Sequence, residues 1–322
     1  MREFEENLNM TEFPKIGIGT WAWGDNLFWD YAQANDKEQV RNAFLTSLES
    51  GITFFDTAEV YGLGESERLI GKFLQEIGVK SQNVQIATKF MPLPWRFNAQ
   101  NIRDSITASL NRLQLNTVAL YQVHQPVSFL ISQKTLMQTL ADEVKTGRIA
   151  AVGISNYSAS QMREAHTYLT QEGVKLAVNQ VRYSLLDREI ETNGILATAK
   201  ELGVTILAYS PLAQGLLTGK YRNSGTTIRP TGARKIDPRF KPVGLTKIEP
   251  LLQLLEEIGA KYNRSPAQIA LNWLIYQSKS QSQVIPIPGA KTASQARENA
   301  GALGWSISPE ENLLLGKLGK YA

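Results

Sequence analysis

The sequence predicts a (β/α)8 barrel, and three observations carry that expectation. Eight short runs of β-branched, aliphatic and aromatic residues alternate with amphipathic helical stretches along 322 residues, the pattern of repeated parallel βαβ units. Residues capable of chemistry stand where the runs end: Asp56 after the run at 52–55, Lys89 closing the run at 84–89, His124 closing the run at 118–124. A barrel presents its chemistry at that rim. The first strand-to-helix turn, Gly17-Ile-Gly-Thr-Trp21, lacks the third glycine of a dinucleotide fingerprint, which counts against a doubly wound sheet. One domain over residues 1–322 is expected.

The first strand is expected at 15–20. Asp36 caps a helix to about residue 50, with Val40, Phe44, Leu45 and Leu48 on one face. The second strand, 52–55, is the pivot of the chain. A carboxylate directly after a buried strand is costly unless paired. Five residues on stands Tyr61, on a loop punctuated by Gly62 and Gly64. The helix at 65–77 turns Leu69, Ile70 and Phe73 inward. Strand 84–89 precedes a helix at 98–113, strand 118–124 one at 133–146, and strand 149–155 one from Ser158. Strand 174–179 leads to a helix at 188–202, then strand 204–209. About 75 residues separate that strand from the eighth, at 284–288, far more than an ordinary βα loop. They hold a basic stretch and helices at 245–262 and 266–276. Helices at 292–303 and from Pro309 complete the chain.

Composition narrows the classes. Hydrophobic residues make up 43%, and no apolar run reaches the ~18 residues of a membrane span. The acidic N-terminus has no signal-peptide core. The lack of cysteine excludes disulfides, thiolate metal sites and cysteine nucleophiles, and it fits the cytosol. Two histidines, with no His/Asp/Glu cluster at ligand spacing, argue against a metal enzyme. The net charge of +4 is uneven: residues 220–247 carry +7 and the rest of the chain −3. A single basic segment on a slightly acidic body points to a local anionic ligand, not to nucleic acid.

Seven motifs then fall in one order: Phe55-Asp-Thr-Ala-Glu-Val-Tyr-Gly62, Ala87-Thr-Lys-Phe90, Leu120-Tyr-Gln-Val-His124, Gly153-Ile-Ser-Asn156, Asn179-Gln-Val-Arg-Tyr-Ser184, Ala208-Tyr-Ser-Pro-Leu212 and Ile287-Pro-Gly-Ala-Lys291. Each is weak alone. In this order, from about Gly17 to Asn299, they resemble the aldo-keto reductases. The likeness is to the long-chain branch that includes plant and bacterial reductases and potassium-channel β subunits. It implies a (β/α)8 barrel, NADP(H) and carbonyl reduction. Three features depart from the family pattern: Ala119 replaces an acid, the eighth-strand turn reads Gly289-Ala290-Lys291 where many members carry Lys-Ser, and Gln295 stands where an arginine is expected.

Carbonyl reduction takes a hydride donor and a proton donor for the forming alkoxide. Tyr61 is the candidate acid. A free tyrosine has a pKa of about 10, and a nearby Lys89 ammonium is expected to lower it. Asp56 pairs with Lys89 and keeps it charged, and His124 donates to the carbonyl oxygen. Each has a plainer reading alone: a cap or structural ion pair for Asp56, a loop aromatic for Tyr61, a solvated rim residue for Lys89, a core residue for His124. In family order the four make one catalytic set.

For the cofactor, the resemblance places Ser155, Asn156 and Gln180 at the nicotinamide amide and Tyr209 on its ring, where core packing is the alternative. It extends the seat to Thr20, Trp21 and Asp56, and to Ser210, Pro211, Leu212, Gln214 and Gly215 after the seventh strand. Gly289, Lys291, Gln295, Glu298 and Asn299 surround a helix start, where phosphate is favoured, with Lys291 expected at the 2′-phosphate. Lys220 and Arg234 are expected contacts of a basic lid over the pyrophosphate; a solvated loop is the alternative. Trp21 and Trp95 are expected to wall an apolar substrate site, or else to lie in the core. The function expected is NADPH-dependent reduction of a small aldehyde or ketone, with no membrane or nucleic-acid partner. Two other classes stay open: an NADP(H)-binding regulatory or redox-sensing subunit with slow turnover, and a Schiff-base lyase using Lys89. A lysine held charged by Asp56 is a poor nucleophile for the latter.

Overall fold

The computed structural model describes residues 13–25, 36–78, 83–126, 131–222, 230 and 232–320. Eight parallel strands form one sheet in sequence order. They are β1 (Ile18–Gly19), β2 (Phe54–Asp56), β3 (Gln85–Phe90), β4 (Leu120–Val123), β5 (Val152–Ser155), β6 (Leu176–Arg182), β7 (Thr205–Tyr209) and β8 (Val284–Pro286). The two edges meet. Gly17 N donates to Pro286 O and Gly19 N to Pro288 O, each at 3.0 Å, and Gly19 bridges to Gly289. The sheet is thereby a (β/α)8 barrel. The prolines suit this seam because they only need to accept. Gly17 suits it because a Cβ there would lie 2.4 Å from Phe54 Cδ1.

The outer helices are α1 (Asp36–Glu49), α2 (Glu65–Ile77), α3 (Ala99–Leu113), α4 (Gln133–Lys145), α5 (Ala159–Gln171) and α6 (Ile195–Leu202). Between β7 and β8 lie α7 (Pro242–Tyr262) and α8 (Pro266–Gln277); α9 (Ala293–Ala300) and α10 (Pro309–Gly319) follow. Side-chain oxygens of Asn98, Ser132, Ser158, Ser265, Thr292 and Ser308 cap α3, α4, α5, α8, α9 and α10, taking up orphan backbone donors. Among the described residues no helix is long and apolar enough to cross a membrane.

Strand period sets the site. Phe54, Ala87, Leu120, Val178 and Leu207 pack together in one buried cluster, while Phe55, Ile86, Tyr121, Ile154 and Ile206 belong to the larger core shared with the helices. Successive side chains alternate between the faces. Two residues beyond the inner apolar layer therefore come Asp56, Lys89, Gln122, Gln180 and Tyr209, so an apolar plug is topped by a polar floor.

Several boundaries shift by a few residues, and three of the differences have a clear local cause. β1 has two residues instead of six, because its seam bonds come from Gly17 and Gly19 alone. β6 runs on to Arg182 because it pairs with β7 through Tyr209. The helix expected at 188–202 is a 3-10 turn, Glu189–Glu191, followed by α6; Gly194 separates them at φ 88.

Candidate active site

The expected tetrad meets at the floor of the barrel mouth. Asp56 ends β2, with 2% of its surface exposed, and Lys89 in β3 is fully buried. Lys89 Nζ has three hydrogens and three acceptors: Asp56 Oδ1 at 2.5 Å, Thr57 O at 2.7 Å and Tyr61 Oη at 3.4 Å. Tyr61 reaches this point on a tight turn. Gly62, Leu63 and Gly64 all have positive φ, at 55°, 54° and 86°, and a Cβ on Gly62 would lie 2.3 Å from Gly24 O. His124 stands just beyond β4, its ring centroid 5.8 Å from that of Tyr61 at 85°. Trp21 stacks on the phenol itself, its ring centroid 6.2 Å from that of Tyr61 at 29°.

Electrostatics correct one expectation. Burial of Tyr61 raises its pKa from the ordinary 10.0; Lys89 lowers it, Asp56 raises it, and the balance is upward. Lys89 pulls the phenol down, but burial outweighs it, and Asp56 against the ammonium offsets part of its effect. Burial pulls Lys89 down, but Asp56 and then Tyr61 outweigh it, so it lies above its ordinary 10.5. Burial first and Lys89 second drop His124 from 6.5 to about 3. At neutral pH the floor thus holds a protonated phenol, an ammonium and a neutral imidazole. The His124 Nδ1 atom is buried with no hydrogen-bond partner among the described residues.

The residues expected at the nicotinamide amide also meet, bonded to one another. Ser155 Oγ donates to Gln180 O at 3.0 Å. Asn156, at φ 63, donates to His124 O at 3.3 Å and Ser155 Oγ at 3.1 Å. Tyr209 Oη donates to Asn156 Oδ1 at 3.0 Å, which fixes that ring at the end of β7. Arg182 lies 5.8 Å from the Tyr209 ring centroid. Thr20 is different: it is fully buried, and its hydroxyl contacts Asp56 O at 3.0 Å and Ser66 Oγ at 2.8 Å. Its side chain ties β1 to β2.

After β7 the backbone bends sharply. Ser210, Ala213, Gln214 and Gly215 have φ of 52°, 46°, 56° and 99°, Pro211 is buried and Leu212 partly so. Lys220 comes back over this bend: a Cβ on Gly215 would lie 3.0 Å from Lys220 Cε. Arg234 Nε donates to Gln214 O at 3.0 Å, while Gln214 Oε1 is buried without a partner among the described residues. Partial desolvation first and Arg234 second lower the Lys220 pKa, so two cations converge here. The expected +7 segment is less bare than its composition suggested. Arg222 pairs with Glu249 at 2.5 Å and with Glu256, and Arg239 with Asp237 at 2.8 Å and Asp187 at 3.1 Å. Residues 223–229 and 231 of the expected lid lie outside the described residues.

Around α9, Gln295 Oε1 accepts from Lys291 N at 2.7 Å. Asn299 Nδ2 donates to Gly289 O at 3.3 Å. Glu298 accepts from Ser265 Oγ, so that carboxylate oxygen joins α9 to α8. Trp95 is 66% exposed on the loop between β3 and α3, which removes the core alternative. Among the described residues no cluster of three or more His, Asp or Glu could hold a metal.

A profile of the Aldo/keto reductase family matches residues 15–318. The chain belongs to that family. A curated relative, the chloroplastic pyridoxal reductase of Arabidopsis thaliana, is 39% identical over 309 residues, spanning 93% of this chain and 81% of the relative. Among solved structures, the glycerol dehydrogenase of Gluconobacter oxydans superposes with a TM-score of 0.83 at 29% identity, covering 97% of this chain and 93% of that one. An aldo/keto reductase from Klebsiella pneumoniae in complex with NADP and acetate gives 0.72 at 25% identity, covering 95% and 91%.

In this family member two features escaped the sequence reading. Gln122 sits in the floor beside Lys89 and donates to Asp56 Oδ2 at 2.9 Å. Its signal was a polar residue at an inward strand position, two after Leu120. Glu59 accepts from Met91 N at 2.6 Å and from Arg96, which fastens the Trp95 loop to the segment that carries Tyr61. No local pattern announces that pair.

Proposed function

We propose that this chain, acting as one domain, reduces an aldehyde or ketone to the alcohol with NADPH. The observation that carries the reading is the disposition of Lys89. Two of its hydrogens are held by Asp56 and Thr57, and the third points at Tyr61 Oη. The phenolic oxygen therefore accepts from below, and its own proton is left to donate to a carbonyl oxygen. Burial keeps Tyr61 protonated until that oxygen gains charge; the ammonium then stabilises the phenolate left behind. Neutral His124 at the same edge orients the carbonyl without bringing a competing charge. Trp21 and Trp95 wall the approach.

The residues present fit the cofactor. Lys220 and Arg234 converge over the bend at Gln214 and Gly215, a disposition suited to a pyrophosphate. Ser155, Asn156 and Gln180 offer amide and hydroxyl partners for a carboxamide, Tyr209 a flat face, and Lys291 and Asn299 a place for the adenosine end. When bound, NADPH supplies the hydride. Support comes also from the Klebsiella structure, which is of an NADP complex. A cytoplasmic setting is the location proposed, and a chain without cysteine fits it.

The test is NADPH consumption by the purified chain with a panel of small aldehydes and ketones that includes pyridoxal, repeated with NADH. Turnover with any of them, abolished in Tyr61→Phe, is the expected result. Tight NADPH binding with no turnover across the panel would favour the regulatory reading instead.

A further inference from the structure

We propose that Gln122 is a positioning residue that locks the proton-delivering pair and the seat of the cofactor amide into one unit, a role that rests on the reductase reading above. Gln122 lies in β4, fully buried, in register with Lys89 on one side and Gly153 on the other. Its Nε2 donates to Asp56 Oδ2 at 2.9 Å, and its Oε1 accepts from Gln180 Nε2 at 3.2 Å. Gln180 Nε2 also donates to Asp56 Oδ2, at 2.8 Å. The three side chains close a ring.

The ring removes an ambiguity. A primary amide has a donor end and an acceptor end, and it can turn end for end unless both are specified. The Asp56 carboxylate can only accept, so it fixes the Nε2 end of Gln122. The other end of Gln122 is then an acceptor, and together with Asp56 it holds the Nε2 end of Gln180. What remains of Gln180 is Oε1, an acceptor that no donor among the described residues reaches, and the complement of a carboxamide NH2. The same amide keeps Oδ2 of Asp56 bonded while Oδ1 holds Lys89. With an apolar residue at 122, Asp56 Oδ2 keeps Gln180 as its single partner, and the Gln180 amide is held by one bond instead of two.

Gly153 makes room for this. A Cβ there would lie 2.8 Å from Gln122 Cγ, so a side chain at 153 would drive the amide off Asp56. Glutamine at 122 and glycine at 153 form one device across the β4–β5 pair.

The test uses the whole chain carrying Gln122→Leu, close to the native volume, with NADPH affinity read by fluorescence titration alongside kcat and melting temperature. The expected result is a folded variant whose Kd for NADPH rises about tenfold, the size of one hydrogen bond to a charged group, and whose kcat falls. Gln122→Glu adds a readout that a merely structural role would not move. A carboxyl at 122 can donate to Asp56 only while protonated, and burial and Asp56 both raise its pKa, so its deficit relative to wild type should grow as pH rises and shrink on acidification. Lys89, Tyr61 and His124 are common to both proteins, while Asp56 couples to the new carboxylate and titrates with it as a pair. A folded Gln122→Leu with NADPH affinity within about twofold of wild type overturns the proposal, as does a pH-independent deficit in Gln122→Glu. If Gln122→Leu does not fold, Gly153→Ala displaces the amide from the other side, and unchanged affinity there overturns it equally. A wild type that binds NADPH but reduces no carbonyl sinks the functional reading, and this proposal with it.

Discussion

The floor of the mouth and the bend after β7 are built in opposite ways. At the floor, Asp56, Lys89 and Gln122 are buried and every polar atom of their side chains has a partner inside the protein. At the bend, the chain is shaped by left-handed backbone at Ser210, Ala213 and Gln214, each costing of order 1 kcal/mol for a residue with a Cβ. No carboxylate among the described residues pairs with Lys220 there. The floor is set before anything binds, which is what a proton-delivering group needs. The bend gathers cations and strain that an anionic ligand would offset. Changes at the floor should therefore show in turnover and stability, and changes at the bend in affinity and its salt dependence.

The sharpest test of that contrast is Tyr61→Phe. Turnover should drop by ~10²–10⁴-fold, the usual contribution of a general acid, while NADPH titration stays close to wild type. A variant that keeps more than about a tenth of the rate would place the acid elsewhere. Next comes Asp56→Asn, which leaves the Lys89 ammonium buried without its counter-charge. Removing one partner of such a pair costs about 3–5 kcal/mol, to be read from urea unfolding together with a collapse of kcat. Near-native stability in this variant would mean that the floor is not held by its ion pair.

Acid should also act on the floor first. The imidazole of His124 is held at about 3 in the folded chain, against 6.5 unfolded. Its contribution is complete above pH 6.5 and is lost as pH falls toward 3, by ~1.4 kcal/mol per unit. Melting curves of wild type and His124→Gln between pH 7 and 5 should diverge, the wild type losing more. Parallel curves would mean that His124 takes up its proton freely in the fold. The smallest effect belongs to the bend. Lys220→Met should raise the Kd for NADPH by a few-fold to about tenfold and flatten its dependence on salt, with the melting temperature of the ligand-free chain unchanged. If it melts like Asp56→Asn, the two regions are not built differently.

Much of the floor was legible because strand period and strand ends are local signals. Asp56, Lys89 and His124 each close an apolar run, and Tyr61 announces itself between glycines. Gln122 was missed because its importance depends on register: only pairing β4 with β3 and β5 sets it beside Lys89 and opposite the gap at Gly153. Charge in the segment after β7 was also legible, but its partners were not. Arg222 finds Glu249 and Glu256 on α7, and Arg239 finds Asp187; separations of this kind are set by packing. The raised pKa of Tyr61 escaped for the same reason, since the burial that outweighs Lys89 belongs to the assembled site.

The clasp between Glu59 and Arg96 has a bearing on any attempt to redirect this protein toward other carbonyls. The loop that bears Trp95 is the natural segment to exchange, yet it is anchored through Arg96 to a carboxylate two residues before Tyr61. A donor loop without a guanidinium at that position would strip the nearly buried Glu59 of its cation and slacken the turn that presents the phenol. Such a chimera should lose kcat as well as shift KM, whereas one that retains Arg96 should shift KM alone. On the proposed reading, selectivity and proton delivery are inherited together here, and a designer has to transplant them as one piece.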